Sequence, residues 1–267
     1  MIERYTLTSL DDVAEAFGIA VPGGWTPRFN IAPLQLAPIR TANALIAARW
    51  GLLPPWRGHG GKRGPHVLHA PVDPAIDLSL GPSIGPSIGP SIGPSIGDAL
   101  DRVPLLRNAF KNQRCLVIAD GFFVWRRAGN KPRPVWVHPA PDPTRPDRRS
   151  RPIAFAGLAA THRDDGQPSF AIVVGPASPL VASLFAPPPA PSGAPGDART
   201  APTMPVVIPA AGYAAWLTGS RDAAREQLGH VPAGWRADPV STRVSSVDHD
   251  DEACVEPLGN PAQGELF

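Results

Sequence analysis

The sequence predicts an α+β domain built on an antiparallel or mixed β-sheet core with short flanking helices. Short apolar, β-branched and aromatic runs recur at residues 45–50, 115–119, 122–125, 135–138, 154–158 and 170–174, each bounded by polar, Gly or Pro residues. Helical signals are few, at residues 9–17, 103–110 and 210–217. Many short strands with few helices favour segregated α+β layers over regular βαβ alternation. Low complexity is confined to two stretches, so the remainder has the composition of a packed chain.

Taken in order, residues 9–17 open with Ser9 as a helix N-cap. Asp11 and Asp12 follow in the first turn, and Gly18 stops the helix. Residues 45–50 form a buried strand. From 57 to 101 the composition shifts: a Gly-rich basic run gives way to four copies of Gly-Pro-Ser-Ile at 81–96. Proline at every fourth position excludes a continuous helix and any central strand, so an extended loop is expected. A helix at 103–110 precedes a strand, an Asp120-Gly121 turn and a second strand. A second insert, rich in Ala and Pro, covers 186–202. Beyond it come a strand near 204–208, a helix, and mixed strand and acidic loop over 238–258. The expected organisation is a single domain at 1–258, with inserts at 57–101 and 186–202, and a tail at 259–267.

Composition excludes several classes. Twenty-five Lys plus Arg against 23 Asp plus Glu leave a net charge of +2, too small to diagnose a nucleic-acid partner alone. Cys115 and Cys254 make neither a disulfide framework nor a zinc cluster. Cys115 lies in an apolar run and reads as a small buried hydrophobe, and acidic neighbours discourage a reactive Cys254. No His/Cys/Asp cluster has metal-ligand spacing, and no Gly-x-x-x-x-Gly-Lys loop is present. Neither metal nor cofactor is expected. No run of about 18 apolar residues could span a membrane, and the first residues lack the apolar core of a signal peptide. The expected location is the cytoplasm, in association with the nucleoid.

Five segments in order carry a family resemblance. They are Arg-Phe-Asn-Ile-Ala-Pro at 28–33, Arg-Trp-Gly-Leu-Leu-Pro-Pro-Trp at 49–56, Arg-Cys-Leu-Val-Ile-Ala-Asp-Gly-Phe-Phe-Val-Trp at 114–125, Met-Pro-Val-Val-Ile at 204–208 and Val-Ser-Thr-Arg-Val at 240–244. Together they resemble the SRAP (SOS response-associated peptidase) family. The resemblance implies an SRAP-like, barrel-like fold and recognition of abasic sites in single-stranded DNA. It also implies a catalytic Cys at position 2, whose amine and thiol close a thiazolidine with the opened sugar. Removal of the initiator Met, which the peptidase label describes, exposes that Cys. A carboxylate, an Asn and a His complete the implied set.

This sequence departs from the pattern at each catalytic position. The Cys is Ile2, the Asn is His69, the Glu is Val124 and the His is Ala201. An isoleucyl side chain offers no nucleophile. The resemblance therefore points to a DNA-damage protein that binds single-stranded, possibly abasic, DNA with impaired or absent crosslinking and self-processing. One alternative is an enzyme using the Met1 amine, with His69 as base; another is a non-enzymatic scaffold.

DNA contacts fall on Arg4, Asn30, Pro33, Arg49 and Trp50 by the same resemblance, with Arg on phosphate and an aromatic for stacking. Trp50 and Trp56 also read as core aromatics, and Asn30 as a turn cap. In the tail, Gln263, Leu266 and Phe267 resemble the Gln-x-x-Leu-Phe peptide that docks on the DNA polymerase sliding clamp. There two apolar anchors would fill a pocket and the Gln would bond at its edge.

Overall fold

The structure, a computed structural model, describes residues 2–19, 21, 24–54, 64, 66–73, 97–128, 131–141, 143–144, 151–162, 166–185 and 202–259. Met1, Trp56, the Gly-Pro-Ser-Ile repeat, Ala201 and the tail residues Gln263, Leu266 and Phe267 lie outside them.

In chain order the first half contains β1 (Tyr5–Leu7), α1 (Asp11–Phe17), β2 (Arg28–Ile31), β3 (Leu36–Arg40), β4 (Leu45–Trp50), β5 (His69–Pro71), α2 (Asp98–Arg102) and α3 (Pro104–Asn112). Next come β6 (Arg114–Ala119), β7 (Gly121–Ala128), β8 (Lys131–Pro139), β9 (Ile153–Thr161), β10 (Pro168–Pro176) and α4 (Pro179–Ser183). The chain continues with β11 (Thr203–Pro205), β12 (Val207–Ile208), α5 (Tyr213–Thr218), α6 (Arg221–Glu226) and β13 (Trp235–Pro239).

The apolar runs read from the sequence become the walls of a closed barrel. Strand β10 pairs with β4, β4 with β3, β3 with β6, β6 with β9, and β9 again with β10. Closing the ring removes the free edges that an open sheet would leave. The central part of β10 is buried at every position, as a strand covered on both faces must be. Strand β5 continues the parallel edge of β10 past β4, pairing His69 with Ile172 and Pro71 with Val174.

A second, antiparallel sheet runs β13-β8-β7-β1-β2. Edge-to-face aromatic contacts join it to the barrel. Tyr5 of β1 meets Trp50 at 5.3 Å and Phe155 at 6.1 Å, and Phe122 of β7 meets Phe155 at 6.1 Å. Such pairs contribute roughly 0.5–1.5 kcal/mol each beyond the area they bury.

Two local expectations need correction. Ser9 does not cap α1: Leu10 occupies that position without a side-chain hydrogen bond, and the Ser9 N–H donates to Asp120 instead. Gly18 does end the helix, in the left-handed conformation at φ 60°. The predicted helix at 210–217 begins later, with a 3-10 turn over Ala210–Gly212 before α5. Both β5 and α2 fall within residues 57–101.

Candidate nucleic-acid interface

Strand pairing brings together three of the four positions at which the resemblance expects chemistry, and all three are buried. Ile2 is 1% exposed and Val124 1% exposed, both within the main hydrophobic core. His69 is 4% exposed on β5, its ring edge-on to Trp50. The His69 ring hydrogen-bonds the backbone of Ile2, and its Nε2 has no partner among the described residues. Burial pushes the imidazole pKa down to about 4, so the ring is neutral at pH 7. The sequence placed His69 in a surface loop; parallel pairing with β10 puts it in the interior instead.

The five residues expected to contact DNA separate into two groups. Arg49 is exposed at the end of β4, and its Nη1 donates to Leu34 O at 2.7 Å. Arg4 is half-buried, just before β1 and one residue past the Tyr5–Ile31 pair, on the side where β2 leads into Ala32 and Pro33. Burial lowers its pKa somewhat against the raising effect of Glu3, but a guanidinium stays charged at pH 7. Pro33 is half-buried between them.

Asn30 and Trp50 are interior. The Asn30 amide donates to three carbonyls, Val244 at 3.2 Å, Ser246 at 2.8 Å and His249 at 2.7 Å. The Trp50 indole N–H donates to Leu68 O at 3.0 Å, and its ring is fully buried. Both side chains are committed to holding the loop that carries Pro33 rather than facing solvent.

Two residues that sequence reasoning passed over shape this face. Leu34 is the one non-glycine residue with positive φ among those described, at 68°. It is the third residue of a turn whose Gln35 N–H donates to Ala32 O, with Pro33 second. That third position normally holds Gly or Asn when φ is positive. The signal was available as a Pro-Leu pair between two strands, but Leu gives no hint of a left-handed backbone.

Asp120, expected in a simple turn, is fully buried. It accepts hydrogen bonds from the Thr6 hydroxyl, the Thr8 hydroxyl at 2.7 Å and the backbone N–H groups of Thr8 and Ser9. Burial pushes its pKa up, and these donors oppose that shift. The carboxylate thus locks the segment between β1 and α1 to the start of β7.

Acidic partners on the opposite side of β2 are already engaged. Asp250 accepts from Arg28 Nε and from the Phe29 and Asn30 N–H groups, the latter two at 2.6 and 2.8 Å. Beside this pair a cavity of about 250 Å³ opens between Leu7, Leu10, Trp25, Arg28, Leu36 and Pro38. Among the described residues, no group of three His, Cys, Asp or Glu side chains could hold a metal ion, and no helix is long and apolar enough to cross a membrane.

Comparison with known proteins agrees with this architecture. A protein from Bacteroides thetaiotaomicron superposes with a TM-score of 0.67 at 15% identity, covering 96% of this chain and 99% of that one. A protein from Bordetella bronchiseptica gives 0.60 at 19% identity, covering 90% and 99%. At these identities the likeness is one of fold. By sequence, the chain is 29% identical over 167 residues to the abasic site processing protein YoqW of Bacillus subtilis, and 29% identical over 139 residues to the abasic site processing protein YoaM of the same organism. The chain spans 59% of the length of YoqW and 50% of that of YoaM. The family model for SOS response associated peptidase (SRAP) matches residues 96–247, more than half of the sequence, and the chain belongs to the SRAP family.

Proposed function

We propose that this protein serves in the DNA-damage response as a binder of single-stranded, abasic-containing DNA that does not form the covalent adduct its family membership implies. The observation that carries the reading is the burial of Ile2 and Val124 in the hydrophobic core, where a nucleophile and a carboxylate would be needed. A covalent step requires an activated nucleophile and a positioned proton-transfer group. Neither aliphatic side chain can supply one. His69 is the one titratable group of the three, and its low pKa makes it a poor proton acceptor at neutral pH.

The binding half of the proposal rests on Arg4 and Arg49 flanking the Pro33 turn, with phosphate contact as the role of each guanidinium. Asn30 and Trp50 would act by holding that turn in place. The names of the two Bacillus relatives support DNA carrying an abasic site as the ligand class.

The test mixes purified protein with single-stranded DNA bearing one abasic site and resolves the products on a denaturing gel, beside an Ile2→Cys variant. The expected result for the parent is salt-sensitive binding without a heat-stable adduct. An adduct with the parent would overturn the non-covalent reading and direct attention to the Met1 amine and His69.

A second element of the proposal concerns the tail. Gln263, Leu266 and Phe267 would dock on the polymerase sliding clamp and so bring the DNA-binding face to replicating DNA. Deleting residues 263–267 should abolish clamp binding measured by surface plasmon resonance and leave DNA binding intact.

A further inference from the structure

The turn that carries Leu34 is fixed by the backbone. The Leu34 N–H donates to Trp50 O at 2.7 Å, its carbonyl accepts from Arg49 Nη1, and Gln35 closes the turn on Ala32. Gln35 Oε1 accepts in addition from the Ala32 N–H at 3.0 Å and from Arg28 Nη2 at 2.8 Å. None of these bonds uses the leucine side chain. A left-handed conformation at a residue with a Cβ costs about 1–2 kcal/mol, and glycine would satisfy the same backbone without that cost. The leucine does not recover the cost by burial, since it is 45% exposed. Leu36, two residues on, is 49% exposed and lines the cavity with Trp25, Leu10 and Pro38. That cavity, about 250 Å³, is below the range of drug-sized pockets, in the size class of a single ring.

We propose that Leu34 is an apolar wedge that packs against an unpaired nucleobase of single-stranded DNA, with the neighbouring base received on the Leu36–Trp25 cavity. The inference rests on the proposed reading of this face as a single-strand interface, and adds to it the surface that would engage bases. Strain held at an exposed position is characteristic of ligand-contacting sites. An apolar tip with an aromatic-walled cavity beside it offers contact to any base, without sequence preference. Charge selects polynucleotide over an apolar protein surface. Arg49 is exposed beside the turn and Arg4 approaches from β1, while Asp250 is neutralised by Arg28. Exposed Glu3 is the acid adjoining Arg4 in the chain.

The experiment is fluorescence anisotropy with a labelled oligothymidylate lacking abasic sites, over a salt series, together with thermal melting. The parent, Leu34→Gly, Leu34→Asn and Trp25→Ala are compared. Glycine and asparagine both accept the left-handed backbone. The expected result is about fivefold to tenfold weaker binding for each Leu34 variant and for Trp25→Ala, the low end of what losing one base contact costs. Melting temperatures of the Leu34 variants should stay level or rise. The slope of affinity against salt should be unchanged, because no phosphate contact is removed. Parent-like affinity in both Leu34 variants would overturn the wedge and leave the single-strand reading standing. Loss of stability and affinity together in both would make Leu34 a packing residue and also overturn it. A parent that shows no salt-dependent binding would sink the interface reading, and the wedge with it.

Discussion

The imidazole of His69 stands edge-on to the indole of Trp50, with ring centroids 5.9 Å apart and planes at 82°. This places the polar ring against an aromatic edge in the interior, with one nitrogen on the Ile2 backbone and the other without a partner among the described residues. The contact converts an expected loop histidine into a neutral core residue.

A pH dependence of stability follows. Unfolded, His69 has its ordinary pKa of 6.5; folded, burial holds it at about 4. Above pH 6.5 both states leave it neutral and it contributes no slope. Between 6.5 and 4 the unfolded state takes up a proton that the native state refuses, so stability falls as the pH falls. The loss from this residue reaches roughly 3 kcal/mol near pH 4. Urea midpoints for the parent and His69→Gln, at pH 7 and pH 4.5, should show the steeper fall in the parent. Equal falls in both would place the acid sensitivity elsewhere.

Removing the Asp120 carboxylate should be costly. Four donors, from Thr6, Thr8 and Ser9, converge on it in a buried position. In Asp120→Ala these groups lose their acceptor without gaining water, a penalty of about 3–5 kcal/mol for breaking a buried charged network. Asp120→Asn keeps one acceptor oxygen but points an NH₂ group at donors, and should fall between Ala and the parent. Thermal or urea unfolding orders the three. A variant as stable as the parent would show that the β1–α1 segment does not depend on this lock.

These two residues also show how far the sequence was legible. The barrel strands β4, β6, β9 and β10 were visible because their apolar runs are longer or more β-branched than any loop requires. Strand β3 was not, since Pro38 argues against a central strand. It is tolerated because β6 pairs only with Ile39 and Arg40, leaving Pro38 beyond the end of that ladder. Strand β5 has no local signal either; its three residues become a strand through β10, which lies a hundred residues away in the chain. In the candidate interface, Arg4 and Arg49 were legible by motif. The buried roles of Asn30 and Trp50 were not, because the carbonyls they satisfy belong to distant segments.

Asn30 leads to a prediction that separates structure from binding. Its amide holds the carbonyls of Val244, Ser246 and His249, and so fastens the segment after β13 to β2. Asn30→Ala should lower stability by about 2–4 kcal/mol, three net hydrogen bonds plus the carbonyls left unpaired. Limited proteolysis should then cut within residues 242–254 sooner than in the parent. If Asn30 instead contacts phosphate directly, the substitution would leave the proteolysis pattern unchanged and reduce the salt slope of DNA binding by about one unit.

The barrel interior supplies the sharpest test of packing. A Cβ placed at Gly157 of β9 would lie 2.7 Å from Cys115 Sγ and 2.8 Å from Val117 Cγ2, both on the paired strand β6. Those distances are inside van der Waals contact, and neither neighbour is the free end of a long side chain. Gly157→Ala should therefore cost about 1–3 kcal/mol through overpacking. Cys115→Ala removes the first of the two clashing atoms and on its own should cost somewhat less than a larger core truncation. The double variant Gly157→Ala, Cys115→Ala should be more stable than the two single losses added together, a coupling measurable by a double-mutant cycle in urea. Rescue should be incomplete, because Val117 stays in the way. Strict additivity would mean that β9 relaxes away from β6 rather than packing rigidly against it, and the closed five-strand ring would then be softer than its unbroken pairing suggests.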